Sequence, residues 1–222
     1  MKKKILALML SSMLTITIAG CSNDNNQTNV VSEDSAVQLR QVEILPGEWS
    51  KDYTRDEVKA LYEEGLARVI STTEGYSLEY SVVENEIKEE NGISVNDNYI
   101  YFDNENPEKN RLESMYYGFK QFGSDLASGQ ICMKLGFNLD KESIIEIGEF
   151  NIEELSLSAY SAAFTGDYDR DYTELNKEIY DIIEGKDGIS SVENNLDGIK
   201  ETVTITDNFL LYKLETKEYK FK

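Results

Sequence analysis

Residues 54–82 read TRDEVKALYEEGLARVISTTEGYSLEYSV, and two periodicities meet in them. Thr54 followed three residues later by Glu57 has the form of a capping box, in which each side chain satisfies a backbone N–H at a helix start. Val58, Leu61, Tyr62, Gly65, Leu66 and Val69 then recur at helical spacing, which predicts a helix over residues 54–72 with one apolar face. Gly65 on that face costs about 1 kcal/mol against Ala, unless close approach of a neighbouring element offsets it. Gly75 marks the end, and residues 76–82 alternate as a strand does. This helix is expected to lie on a sheet.

Outward toward the C-terminus, Asn91-Gly92 is a turn signal and residues 98–102 read as the next strand. Asn106-Pro107-Glu108 has the form of an N-cap followed by proline in a first helical turn. Leu112, Met115, Tyr116, Phe119 and Phe122 keep a helical stripe from there to Gly123. Residues 131–137 and 143–150 are predicted strands. Residues 152–164 carry both patterns: Asn151 with Glu154 resembles a helix cap, while Leu155, Leu157 and Ala159 alternate with serines. Thr173 to Glu184 is a second helix (Leu175, Ile179, Ile182, Ile183), closed by Gly185. A short strand at 189–192, an Asp197-Gly198 hairpin signal, and strands at 202–206 and 209–221 finish the chain.

The fold class read from this is α+β, helices packed on an antiparallel β-sheet. Asp52-Tyr53-Thr54 opens the early helix and Asp171-Tyr172-Thr173 the late one, and each helix leads into strands. Two similar helix-plus-sheet halves, residues 42–150 and 151–222, are one version of the 42–222 domain.

The first residues are of another kind. Lys2, Lys3 and Lys4 precede an apolar run from Ile5 to Ile18, diluted by Ser11, Ser12, Thr15 and Thr17. That run is shorter and more polar than the roughly 20 apolar residues of a membrane-spanning helix. It has the proportions of a secretory signal. Its end, Ile18-Ala19-Gly20-Cys21, resembles the lipobox of bacterial lipoproteins, with Ile18 in place of the commoner Leu. The resemblance implies a signal peptide at 1–20 and a diacylglyceryl group on Cys21, which becomes the first residue. It also implies a body lipid-anchored at the outer, extracytoplasmic face of the cell membrane. Residues 22–41, rich in Asn, Asp, Ser, Gln and Thr, are expected to form a disordered tether. Farther on, Tyr180, Gly188 to Val192 and Glu201 to Asp207 loosely resemble the YehR-like small lipoproteins, which implies an α+β lipoprotein domain.

Composition narrows the function classes. Without the signal, 19 basic residues face 42 acidic ones, a net charge of −23. Such a chain repels phosphate backbones, so no nucleic-acid partner is expected. It repels anionic headgroups as well, so the lipid and not a basic patch must hold it at the membrane. The chain has no histidine, which removes Ser-His-Asp and Cys-His nucleophiles, His-ligated zinc and imidazole switching. With Cys21 lipidated, Cys132 stands alone in a strand pattern and reads as a buried, inert thiol.

Three features compete for a functional role. Asp167, Asp169, Asp171 and Glu178 occupy positions 1, 3, 5 and 12 of a calcium loop, a weak Ca²⁺ candidate because position 6 is Tyr172 where Gly is needed. An acidic run before a helix N-terminus accounts for the same residues. Asp103, Glu105 and Glu108 are a weaker cation cluster. The 14 tyrosines and the single Trp49 suit a glycan or peptide groove, or else packing. No cofactor is implied beyond that calcium candidate. The reading is therefore a binding or accessory module, not an enzyme, for an envelope protein, a wall component or an exported peptide. Its alternatives are a carboxylate-dependent hydrolase of wall polymer and an acidic immunity or decoy protein. A deep cleft with a carboxylate pair would favour the hydrolase; a shallow face with exposed tyrosines favours binding.

Overall fold

Thr54 caps its helix as its spacing predicts. Its Oγ1 accepts from the Glu57 N–H, and the Glu57 carboxylate accepts from the Thr54 N–H at 2.7 Å. The helix, α1 (Arg55–Gly75), buries Val58, Tyr62, Gly65 and Val69. The computed structural model describes residues 45–185 and 190–221, all within one compact unit, Gln41–Lys222. The signal segment, Cys21 and its lipobox, the tether, the start of the domain at 42–44 and residues Gly188 and Ile189 lie outside the described residues.

Strands β1 (Ser81–Glu90), β2 (Ile93–Asp103), β3 (Arg111–Phe122) and β4 (Ser128–Asn138) follow as an antiparallel meander. Then come the helices α2 (Lys141–Ile147), α3 (Ser156–Thr165) and α4 (Thr173–Ile183). A second meander closes the chain: β5 (Ser191–Leu196), β6 (Ile199–Thr206), β7 (Phe209–Glu215) and the two-residue β8 (Tyr219–Lys220). The order across the sheet is β1-β2-β3-β4-β7-β6-β5, with β8 beside β7 on β4. The protein is thus α+β, with a helix-then-meander sequence appearing twice and the last strands of each run meeting at the centre. Asn91-Gly92 and Asp197-Gly198 make two-residue hairpin turns, all four residues at positive φ, which is the backbone these turns require.

The helices share one face of the sheet. Met115, Tyr117 and Phe119, then Ile131, Met133 and Leu135, then Leu210, Tyr212 and Leu214, then Ile199, Val203 and Ile205 meet Val58, Tyr62, Leu157, Tyr160, Leu175 and Ile179 in a single core. The opposite face carries no helix among the described residues. Trp49 packs on Phe164 at 5.9 Å, and its backbone accepts from the Tyr219 hydroxyl, so the lone tryptophan belongs to the packing.

Several predicted elements differ. Residues 111–122 form the strand β3, not a helix. Met115, Tyr117 and Phe119 face the helices while Tyr116, Gly118 and Lys120 face away, and an irregularity at Leu112/Ser114 breaks the alternation. Residues 141–147 are helical, not a strand: Asp140 caps the start and Gly148, at φ 85°, ends it in the left-handed conformation. In residues 152–164 the helix pattern prevails, as a 3-10 turn and then α3. The strand after α1 begins only at Ser81, and the last predicted strand is broken between Glu215 and Tyr219.

Gly65 does meet a close neighbour. A Cβ there would stand 2.3 Å from the Tyr117 hydroxyl, which donates to the Tyr62 carbonyl at 3.0 Å while its ring stacks on Tyr62 at 5.4 Å. Gly65→Ala gains about 1 kcal/mol of helix propensity but displaces a packed ring and its hydrogen bond. A net loss of about 1–2 kcal/mol is expected in urea unfolding. Adding Tyr117→Phe, which removes the colliding oxygen, should make the pair less costly than the two single losses combined.

Candidate functional site

The strand pairings set the rows of the helix-free face. One row runs Tyr101, Tyr116, Lys134, Lys213, Thr202, Glu193; the next runs Tyr99, Gly118, Cys132, Glu215, Lys200. The Tyr99 ring lies 5.1 Å from Tyr116 and 5.9 Å from Tyr101. Gly118 makes this possible, since a Cβ there would collide with the Tyr116 hydroxyl at 2.3 Å.

Beneath these rings is an ion network. Asp97 is fully buried; Lys88 Nζ donates to it at 2.8 Å, and the Tyr116 hydroxyl donates to the same carboxylate at 2.7 Å. Lys120 donates to Glu90 at 2.8 Å, and the Tyr99 hydroxyl to Glu86 at 3.1 Å. Burial acting alone would lower the Lys88 ammonium, but the Asp97 and Glu90 carboxylates together outweigh that and hold it raised. Burial likewise pulls Glu90 upward, and the hydrogen bonds from Lys120 and Lys88 reverse it to a lowered value. Burial lifts the Cys132 thiol to about 11, which leaves it protonated and unreactive at neutral pH.

A second node lies on the opposite face, under α3. Arg170, in the loop between α3 and α4, forms a bidentate pair with Glu201 at 2.7 Å on both arms. Glu201 also accepts from the Tyr212 hydroxyl at 2.5 Å and from Asn194 at 3.1 Å, and the guanidinium sits 4.4 Å from the Tyr172 ring centre. Burial would lower Arg170; its hydrogen bonds to Glu201 raise it instead. Burial first, then the Glu201 charge, raises Tyr212 well above its ordinary value. No buried side-chain polar atom of the node lacks a partner, and the node ties the loop to the sheet.

That arrangement lends the calcium reading no support. The Asp167 carboxylate accepts from the Asp169 N–H at 3.0 Å and that of Asp171 from the Thr173 N–H at 2.9 Å, so one oxygen of each turns the backbone. Tyr172, where a calcium loop needs Gly, is buried beside Arg170, and Glu178 is exposed on α4. Among the described residues no three acidic or cysteine groups come together as a set able to hold a metal ion, Asp103, Glu105 and Glu108 included. Arg170, Glu201 and Asp97 were not singled out in the sequence. Glu201 left a trace there: it occupies the inward phase of β6, between Ile199 and Val203.

Two open grooves mark the surface. One, of about 580 Å³, lies where β1 begins and β2 ends, lined by Tyr80, Tyr101, Phe102, Asp103 and Asn104. The other, of about 360 Å³, lies between Phe150, Asn151, Asn176 and Tyr180. The buried carboxylates Asp97 and Glu201 face opposite sides of the sheet, each already neutralised by a cation. No described helix is long and apolar enough to cross a membrane. No protein family, curated protein or solved structure matches the chain.

Proposed function

We propose that this chain is a lipid-anchored, extracytoplasmic binding module whose working surface is the helix-free face of its sheet. The anchor rests on the lysine-headed apolar segment ending in Ile18-Ala19-Gly20-Cys21. Binding without turnover is supported above all by one observation: the tyrosine row opens onto a shallow face. Tyr101 is 39 % exposed, and the carboxylates of the network beneath the rings, Glu86, Glu90 and Asp97, are engaged with lysines. Rigid aromatic rings present contact area at little entropic cost, which suits recognition. A hydrolase of wall polymer needs two carboxylates facing each other about 5–10 Å apart across a cleft. Its acids would have to be free, whereas Asp97 and Glu201 are each held by a cation.

Two measurements test this. Mass spectrometry of the chain from its own cells should find an acylated Cys21 as the first residue; a chain retaining Met1, or an unmodified Cys21, overturns the anchor. A photo-crosslinking residue at Tyr101 should capture an envelope component in intact cells, while one at the exposed Lys59 of α1 captures none. The reverse pattern overturns the assignment of the face.

A further inference from the structure

At the centre of the helix-free face, Lys134 of β4 stands directly opposite Lys213 of β7. Direct cross-strand neighbours have Cβ atoms about 4.5–5.5 Å apart, and like charges so placed repel. Lys213 is met by Glu215 at 2.8 Å. Lys134 has no carboxylate within ion-pair distance among the described residues; its one neighbour of note is the Tyr116 ring, 5.9 Å away. The chain holds 42 acids against 22 bases, so an unneutralised lysine facing another lysine is the exception. The other lysines of this face, Lys88, Lys120 and Lys200, each have an acidic partner within 2.8 Å. One positive charge at the middle of the sheet is left for something outside the chain.

What lies next to it defines the rest of the ligand. Tyr116 and Tyr101 continue the same row, and Tyr101 opens into the groove that holds Asp103 and Asn104. Tyr116 is fixed by its hydrogen bond to Asp97, so its ring is held in place before anything binds. On the other side of the lysines stands Thr202, with Thr204 in the neighbouring row. Flat rings, one net cation and flanking hydroxyls and amides match a sugar chain with sparse negative charge. A nucleic acid, with a charge at every residue, would be repelled by the acidic remainder. The groove beside Tyr101 presents more polar than apolar surface, which suits a sugar better than the apolar anchor a protein partner would bring.

We infer that this face binds an anionic glycan. Its sugar rings lie on Tyr101 and Tyr116, and its carboxylate or phosphate sits between Lys134 and Lys213. This deepens the binding-module reading and rests on it, because it takes the helix-free face as the working surface.

Calorimetric titration of the purified full chain tests it, with three probes: a tetrasaccharide bearing a single hexuronic acid, a tetrasaccharide bearing a single phosphate and a neutral glucose tetrasaccharide. At least one anionic probe should bind, with the neutral one tenfold or more weaker. The better of the two anionic probes identifies carboxylate or phosphate as the charge recognised. Lys134→Gln and Lys213→Gln should each weaken binding about tenfold or more, the worth of a charge-assisted bond, while Lys59→Gln leaves it unchanged. Lys134→Gln should also raise or preserve the Tm, since it removes a like-charge contact, so lost binding is not lost folding. Equal affinity for the neutral probe, or an indifferent Lys134→Gln, overturns the inference. If no glycan binds while the Tyr101 crosslink captures a protein, the working face stands and the glycan falls. If the crosslink also fails, both fall.

Discussion

Raising the pH above 10 should unfold this chain in one cooperative step, within about one to two units. Tyr62, Tyr117, Tyr160, Tyr172, Tyr212 and Tyr219 are all buried, and burial raises each above the ordinary value of 10.0. The unfolded chain ionises these phenols near pH 10, whereas the folded chain keeps them protonated. Their contribution to stability is therefore complete below pH 10 and is lost as the pH climbs from the unfolded value toward the folded ones. Each strongly raised group costs about 1.4 kcal/mol per pH unit in that window, and Tyr62, Tyr117, Tyr212 and Tyr219 together about 5–6 kcal/mol per unit, with Tyr160 and Tyr172 adding in the same direction. A domain's whole stability is about 5–15 kcal/mol. Tyrosinate absorbance at 295 nm and near-ultraviolet dichroism, followed together, should show the six ionising as tertiary structure disappears. Smooth ionisation with the dichroism intact would show these rings accessible to base in the native state.

Arg170→Met alone should cost about 3–5 kcal/mol in urea unfolding, because Glu201 then stays fully buried with no cation. Glu201→Leu alone should cost a similar amount, since it leaves the guanidinium among Tyr172, Ser161 and Tyr212. The double variant should lie within about 1–2 kcal/mol of the parent, as apolar replacements of a buried pair often do. A large favourable coupling in this cycle is the expected signature. Single losses under about 1 kcal/mol, or simple additivity, would mean that water reaches the pair. Either single variant should also gain a protease-sensitive site near Tyr168, since the Arg170–Glu201 pair is what holds that loop against β6.

Local chemistry was legible where it was strong. Thr54 with Glu57, Asn91-Gly92, Asp197-Gly198 and the stripe of α4 act through near neighbours, and each stands in the fold as its spacing predicts. β3 was not legible, for a physical reason. It is buried by helices on one side and by Tyr116, Gly118 and neighbouring side chains on the other, so its alternation has little contrast. Leu112, Met115, Tyr116, Phe119 and Phe122 then fell at helical intervals by coincidence. Residues 143–150 misled in the opposite sense: Ile144, Ile145 and Ile147 are β-branched, yet Asp140 and Gly148 bracket a helix and only Ile144 is buried. Ion partners are the least legible layer. Arg170 and Glu201 are 31 residues apart, and nothing in the spacing of Asp167, Asp169 and Asp171 indicates that the arginine among them turns inward.

The place of β4 has a consequence for biosynthesis. Its partners on one side, β7 and β8, are made only after the whole helical segment and β5 and β6, and Phe221 closes the pairing with a hydrogen bond to the Ala127 carbonyl at 2.7 Å. A nascent chain that has not yet reached residue 209 holds what becomes its most buried strand as a bare margin, the kind of surface on which neighbouring polypeptides aggregate. The middle of the sheet is thus sealed only once β7 and β8 have been made, and a chain stopped before them leaves its seam open.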